Sequence, residues 1–320
     1  MSLGEGSGKP KKEAVVLKEQ GSEMSTHNII AVICDFDDTL GEDTTNLFLR
    51  EKLQMDEKDI ESFWKRDVKG LVLRGWDPPL AYIDQILRLL SRRKLKVTNK
   101  DLRDLGKKVR LFPGVADVFK RLRPFVKQRK EFQEAYIQIE FYIISAGFEE
   151  IIRGVPIANE MKDIFGCMFD ERSENLVPKS IVTFTEKTKF LYAINKGITG
   201  MELRRNPYKV NDVKPKEKRR ILFSNMIYIG DGPTDIPCFS TIQQYGGKTV
   251  GVLKYKIDAG NVSIDQHRAW AIAKGERATL GPFKPNYVED SDLYANLQMQ
   301  VERVGLDITA HARSMVRRGG

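Results

Sequence analysis

The stretch Ile29-Ile30-Ala31-Val32-Ile33-Cys34-Asp35-Phe36-Asp37-Asp38-Thr39-Leu40 decides how the rest of the chain is read. Its apolar first half predicts a strand buried on both faces of a parallel sheet. Asp35 and Asp37 then fall at the strand's carboxyl end, the edge where open α/β sheets bind ligands. Two carboxylates there suit a hard cation and phosphate chemistry. Acidic residues also end strands simply as turn formers, so the stretch alone leaves both readings open.

Working outward, apolar runs at 137–144, 225–229 and 249–253 have the same character and are separated by amphipathic helical segments. Residues 166–169 add a shorter run, followed by a polar loop and a hairpin around 181–184. Near-continuous apolar strands alternating with helices predict an α/β fold with a Rossmann-like parallel sheet covered on both faces. Residues 44–110 differ. Leu47, Phe48, Ile60, Phe63, Trp64, Tyr82, Ile83 and Ile86 recur at helical spacing with few strand signals, and Pro78-Pro79 reads as an interhelical turn. This is a helical insertion whose apolar stripes form its own core. A helix begins near Pro113-Gly114, and a terminal helix is expected over 290–304.

Three more motifs follow successive elements. Ser145-Ala146-Gly147 closes the second strand, and Lys187 and Lys189 open a helix with an apolar face. Lysines there oppose the helix dipole, a mild cost unless an anion is nearby. Gly230-Asp231-Gly232-Pro233-Thr234-Asp235 puts two further carboxylates after a strand, with glycines allowing a tight turn. Singly, each is ordinary turn or helix chemistry; the order is what separates them from it.

An acidic pair, a hydroxyl, a lysine and a second acidic pair on one sheet resemble the four motifs of the haloacid dehalogenase superfamily. The resemblance covers 29–43 and 111–255, with the helical insertion in the superfamily's cap position. It implies a core of residues 29–43 and 111–320 and a helical cap of 44–110; the Gly- and Lys-rich start of the chain reads separately as a flexible N-terminal tail of 1–28. It also implies an Mg2+-dependent phosphatase acting through an aspartyl-phosphate. Asp35 would be nucleophile and metal ligand. Asp37 would be the acid–base group, with its backbone carbonyl on the metal. Ser145 and Lys187 would bind phosphate, and Asp231 and Asp235 would complete the metal site. Lys189 is the alternative to Lys187.

Asp37 favours phosphoryl transfer over dehalogenation, with water as the default acceptor. A phosphotransferase or phosphomutase would use the same residues, and a non-catalytic binding protein would rely on its basic surface instead. Asp35-Phe36-Asp37 and Ser145-Ala146-Gly147-Phe148 are similar to the phosphoserine phosphatase branch. The chain departs from that branch at Thr44, which replaces its substrate-binding glutamate, with Glu42 and Asp43 nearby. The expected partner is a small phosphorylated metabolite of open identity. Arg66, Arg74 and Trp76 could touch it, with structural roles equally available to each.

Composition narrows the alternatives. With 41% apolar and 30% charged residues, the 320-residue chain reads as a globular protein rather than a disordered one. Cys34, Cys167 and Cys238 show no paired spacing and read as reduced thiols. His27, His267 and His311 sit in no ligand-like spacing, which argues against a zinc site or a serine–histidine triad. A net charge of +9, gathered at 91–96, 107–110, 120–123 and 214–220, attracts anions. Aromatic residues do not interleave with these runs, so they do not form a nucleic-acid stacking platform. No apolar run approaches the roughly 20 residues of a membrane span. Residues 1–27 lack the apolar centre of a secretory signal, which makes cytoplasmic the expected location.

Overall fold

The computed structural model describes residues 27–172, 175–258, 261–264 and 278–318. Most of the expected tail, and His267, lie outside the described residues. Asn28, at the end of that expected tail, is bonded into the fold: its amide donates to the Tyr136 carbonyl at 2.6 Å, and its carbonyl accepts from Gln138 N at 2.9 Å.

The first apolar run becomes β1 (Ile29–Cys34), buried at every position. It is joined by β2 (Gln138–Phe148), β3 (Asp163–Arg172), β4 (Asn175–Ser180), β5 (Met226–Gly230), β6 (Lys248–Val252) and, after the antiparallel pair β7 (Tyr255–Asp258) and β8 (Asn261–Ile264), by β9 (Leu280–Phe283). The sheet order is β4-β3-β2-β1-β5-β6-β9, parallel throughout except where β4 runs antiparallel to β3. The chain thus builds outward from β1 on one side and returns to start the other side at β5. The gap between the ends of β1 and β5 is the topological switch point at which such sheets bind ligands.

Two strand expectations need correction. β2 does not stop at residue 144 but continues to Phe148, with a register shift between Ile144 and Phe148 against β3, so Ser145 sits inside a bulged strand end. Bulges of this kind re-aim side chains next to functional sites. The hairpin expected around 181–184 lies earlier. Its second strand is β4, and Thr183 already has the extended backbone of an N-cap before the helix Phe184–Lys196.

Between β1 and β2 the described residues form helices and no strand, beginning with Thr44–Leu53, Glu57–Ser62 and a π-helical turn at Phe63–Val68. Lys69–Val72, Pro78–Arg93 and Asn99–Gly106 follow before the chain rejoins the sheet layer at Val115–Lys127. The two prolines do not separate helices, as expected from sequence, but occupy the first positions of Pro78–Arg93 behind the N-cap Asp77. A proline there sacrifices an N–H that has no partner anyway. The terminal helix, Asp292–Arg318, is longer than its expected span. All three cysteines are buried free thiols. Among the described residues, no helix is long and apolar enough to cross a membrane.

Candidate active site

Asp35 is the first residue past β1, and its N–H donates to the Ile229 carbonyl at 2.8 Å, extending the β1–β5 ladder by one step. The backbone then folds over on itself: the Phe36 carbonyl accepts from Leu40 N at 2.8 Å, and Asp38 takes φ +57. Aspartate is among the few residues that tolerate this left-handed conformation. Asp38, which has no assigned chemistry in the sequence, is the turn residue and lies 3.4 Å from Lys254 Nζ.

The structure brings the sequence-derived residues together at this edge. Ser145 lies at the end of β2 on one side of Asp35, and Asp231 follows β5 on the other. Lys187, on the first turn of Phe184–Lys196, has no solvent exposure and sends Nζ to 3.1 Å from Asp35 Oδ1 and 2.7 Å from Asp235 Oδ1. This resolves the lysine's conflict with the helix dipole, since two buried carboxylates face it. Lys189 instead pairs with Glu186 and is set over the Phe190 ring.

Asp235 is held on every side. Oδ1 accepts from Lys187 and from the Tyr228 hydroxyl at 2.8 Å, and Oδ2 accepts from the Asp231 and Gly232 amides at 3.1 and 3.2 Å. Gly230 is required beneath it, because a Cβ there would lie 2.5 Å from the Asp235 carboxyl carbon. Asp37 Oδ1 accepts from Thr44 N at 2.7 Å, while Oδ2 lies 3.5 Å from Ser145 Oγ. Ser145 Oγ in turn accepts from Gly147 N at 2.9 Å. A Cβ on Gly147 would meet Asp37 Oδ2 at 2.4 Å, Thr44 Oγ1 at 2.9 Å and Ser145 Oγ at 3.2 Å, so this glycine is what allows the three oxygens to converge.

Charge follows from burial. Desolvation pushes the Asp35 carboxyl up to about 7, against the pull of the Lys187 ammonium and with a further push from Asp235. Burial, then the neighbouring Asp43, carry Asp37 well above the usual carboxylate range, opposed by the Thr44 amide. Burial works against the charge on Lys187, but Asp235 and Asp35 outweigh it and hold the ammonium above the ordinary lysine range.

Asp35, Asp231 and Asp235 each offer an oxygen, and the three lie within 4.8 Å of one another. An all-carboxylate donor set of this spacing can hold a hard divalent cation. The Asp37 side chain is outside this group, so any contribution of Asp37 to a cation would come from its main chain.

A cavity of ≈ 400 Å³ opens from Asp35, Asp37, Ser145 and Asp231 towards the helices that follow β1. Its far wall includes Trp64, Lys69 and Tyr82. Arg66 instead pairs with Asp67, Arg74 Nε bonds the Gly70 carbonyl, and neither they nor Trp76 line the cavity. The parts played by Thr44, Gly147 and Tyr228, and by the cavity residues Trp64 and Tyr82, are not apparent in the sequence. Their only sequence signal is a place in or beside the motifs or in an apolar stripe.

No protein-family model matches the chain. It is 30% identical over 239 residues to an uncharacterised protein of Borreliella burgdorferi, a match covering 67% of this chain and 79% of that one. The chain belongs to the family of that Borreliella protein. Solved structures with some likeness include a phospho-aspartyl intermediate analogue of phosphoserine phosphatase, at 14% identity and TM-score 0.49 over 85% of this chain and 99% of that one. A phosphoserine phosphohydrolase-like protein from Francisella tularensis gives 16% and 0.46 over 84% and 99%. A HAD family hydrolase from Salmonella enterica serovar Typhi gives 16% and 0.44 over 76% and 72%. At these values the likenesses carry no argument for this chain. What the chain's own structure shows is a mostly parallel sheet with the residues of its four motifs gathered at one edge.

Proposed function

We propose that the protein is an Mg2+-dependent phosphatase of the haloacid dehalogenase type, hydrolysing a small phosphomonoester through an aspartyl-phosphate on Asp35. The core would comprise residues 29–43 and 111–320, and residues 44–110 would form a helical cap over the site. The observation that carries this reading is the position of Asp35, between Ser145 and Asp231 on one edge, with buried Lys187 3.1 Å from its carboxylate.

In this reading an Asp35 oxygen forms a bond to phosphorus while the bond from phosphorus to the leaving oxygen breaks. The leaving oxygen takes its proton from Asp37, a carboxyl that burial and the neighbouring Asp43 hold above the usual carboxylate range. Water then attacks phosphorus and gives a proton back to Asp37, releasing phosphate and the Asp35 carboxylate. Ser145 and Lys187 bind phosphoryl oxygens and stabilise the charge that spreads over them. Asp35, Asp231 and the Asp37 carbonyl would hold Mg2+, supported by Asp235; when bound, the ion neutralises charge between carboxylate and phosphate. Asp235 fits a supporting role because both its oxygens are already committed to lysine, tyrosine and backbone donors. Phosphate release from a generic aryl phosphate tests the reading. It should require Mg2+, stop with a chelator, and be lost in Asp35→Asn with the fold retained.

A further inference from the structure

We propose that the substrate's leaving group is a flat, uncharged apolar alcohol such as an arylmethyl group, and not a carboxylate-bearing one such as serine. This rests on the phosphatase reading above and names the substrate class of that same site. The cavity's carboxylate end suits phosphate and a cation, so its other wall must accommodate the leaving group.

That wall contains Trp64, Val68, Val72, Pro79 and Tyr82. Both aromatic residues have their polar atoms satisfied within the protein. Trp64 Nε1 donates to Asn46 Oδ1 at 2.7 Å, and the Tyr82 hydroxyl donates to the Ala146 carbonyl. What remains for a ligand is apolar ring surface, with the two ring centroids 5.7 Å apart and tilted by 58°. Rings fixed in this way offer a flat group contact at little entropic cost.

Charge excludes the carboxylate. Among the described residues lining the cavity, Lys69 is the single cation, and it is exposed, whereas Asp43 adds a carboxylate beyond the catalytic edge and Asp38 another, paired with Lys254. Lys187 is already engaged with Asp35 and Asp235. A leaving-group carboxylate entering here would be desolvated beside like charges with one solvated partner. Thr44, which stands where the phosphoserine phosphatase branch carries a substrate-binding glutamate, gives its N–H to Asp37 and is absent from the cavity wall. Asp43, beside it, caps the helix Thr44–Leu53 by accepting from Asn46 N at 2.8 Å.

The test compares kcat/KM for benzyl phosphate, L-phosphoserine and phosphoethanolamine at one Mg2+ concentration and ionic strength; all three release an alkoxide. The expected result is a preference for benzyl phosphate of about tenfold or more. Trp64→Ala should raise KM for benzyl phosphate and move the ratio towards one, and Trp64→Phe should restore most of it. Val72→Asp, on the half-buried cavity wall, provides the same reading should Trp64→Ala not fold. Equal or better turnover of phosphoserine or phosphoethanolamine overturns the inference while leaving the phosphatase reading standing. No phosphate from any of the three esters overturns both.

Discussion

Lys187 Nζ stands 2.7 Å from Asp235 Oδ1, with both side chains wholly buried. One ammonium ties together the helix Phe184–Lys196, the turn after β5 and, through Asp35, the end of β1. An ion pair without solvent contributes less net stability than its Coulomb attraction suggests, yet removing one partner leaves an uncompensated charge. Lys187→Met should therefore lower unfolding free energy by about 3–5 kcal/mol, read by urea denaturation. Lys189→Met, removing a partly exposed lysine, should change it by no more than about 0.5 kcal/mol. Similar losses in the two variants would contradict the arrangement.

Gly147→Ala separates catalysis from folding. The new Cβ would meet mainly the ends of side chains, Asp37 Oδ2 foremost at 2.4 Å, and these can swing away. The fold should survive, but Asp37 moves off its position. A misplacement of about 1 Å in a reacting group costs about 10²-fold in rate, so kcat should fall far more than KM rises. Steady-state kinetics beside a thermal melt check this, and an unchanged kcat would remove Asp37 from its proposed role.

Tyr228→Phe deletes one hydroxyl donor to Asp235 and leaves the Lys187 and backbone donors in place. The expected cost is about 1–2 kcal/mol, measured by urea denaturation. A loss as large as that of Lys187→Met would show that the tyrosine, not the lysine, is the main partner of Asp235.

Away from the site, Arg220 meets Glu140 through two bonds of 2.6 Å, and Tyr142 donates to the same carboxylate at 2.6 Å. Burial pushes the Glu140 carboxyl up, but Arg220 and Tyr142 outweigh it and leave it below the ordinary glutamate range. A depressed pKa contributes stability above the unfolded value, about 4.3 for glutamate, and loses it as pH falls through the folded one. The melting-temperature gap between wild type and Glu140→Gln should be widest near neutral pH and close under acid. A gap that widens under acid would give the linkage the wrong sign.

The parts of this site visible in the sequence were those whose spacing reflects strand ends. β1 was readable because six buried apolar residues run straight into Asp35, and Gly230 to Asp235 because a short strand meets glycines. Lys187 and Lys189 were both open to the same role in sequence, since position on a helix's first turn does not say which side faces the sheet. The register shift that carries β2 through Ser145 depends on pairing with β3, which no local pattern encodes. Pro78-Pro79 showed the same limit, because a proline pair marks a break but not whether a helix ends or begins there. Trp64 and Tyr82 belong to stripes that also build the helical core, so only the tertiary fold shows that they reach the cavity.

The most direct test of the central claim is the intact mass of the protein acid-quenched during turnover of a phosphomonoester with Mg2+. The account predicts a chain carrying one added phosphoryl group, mapped to the peptide containing Asp35 and absent from Asp35→Asn. Steady phosphate release from a chain that never gains that mass, with Asp35→Asn turning over at the wild-type rate, would contradict it.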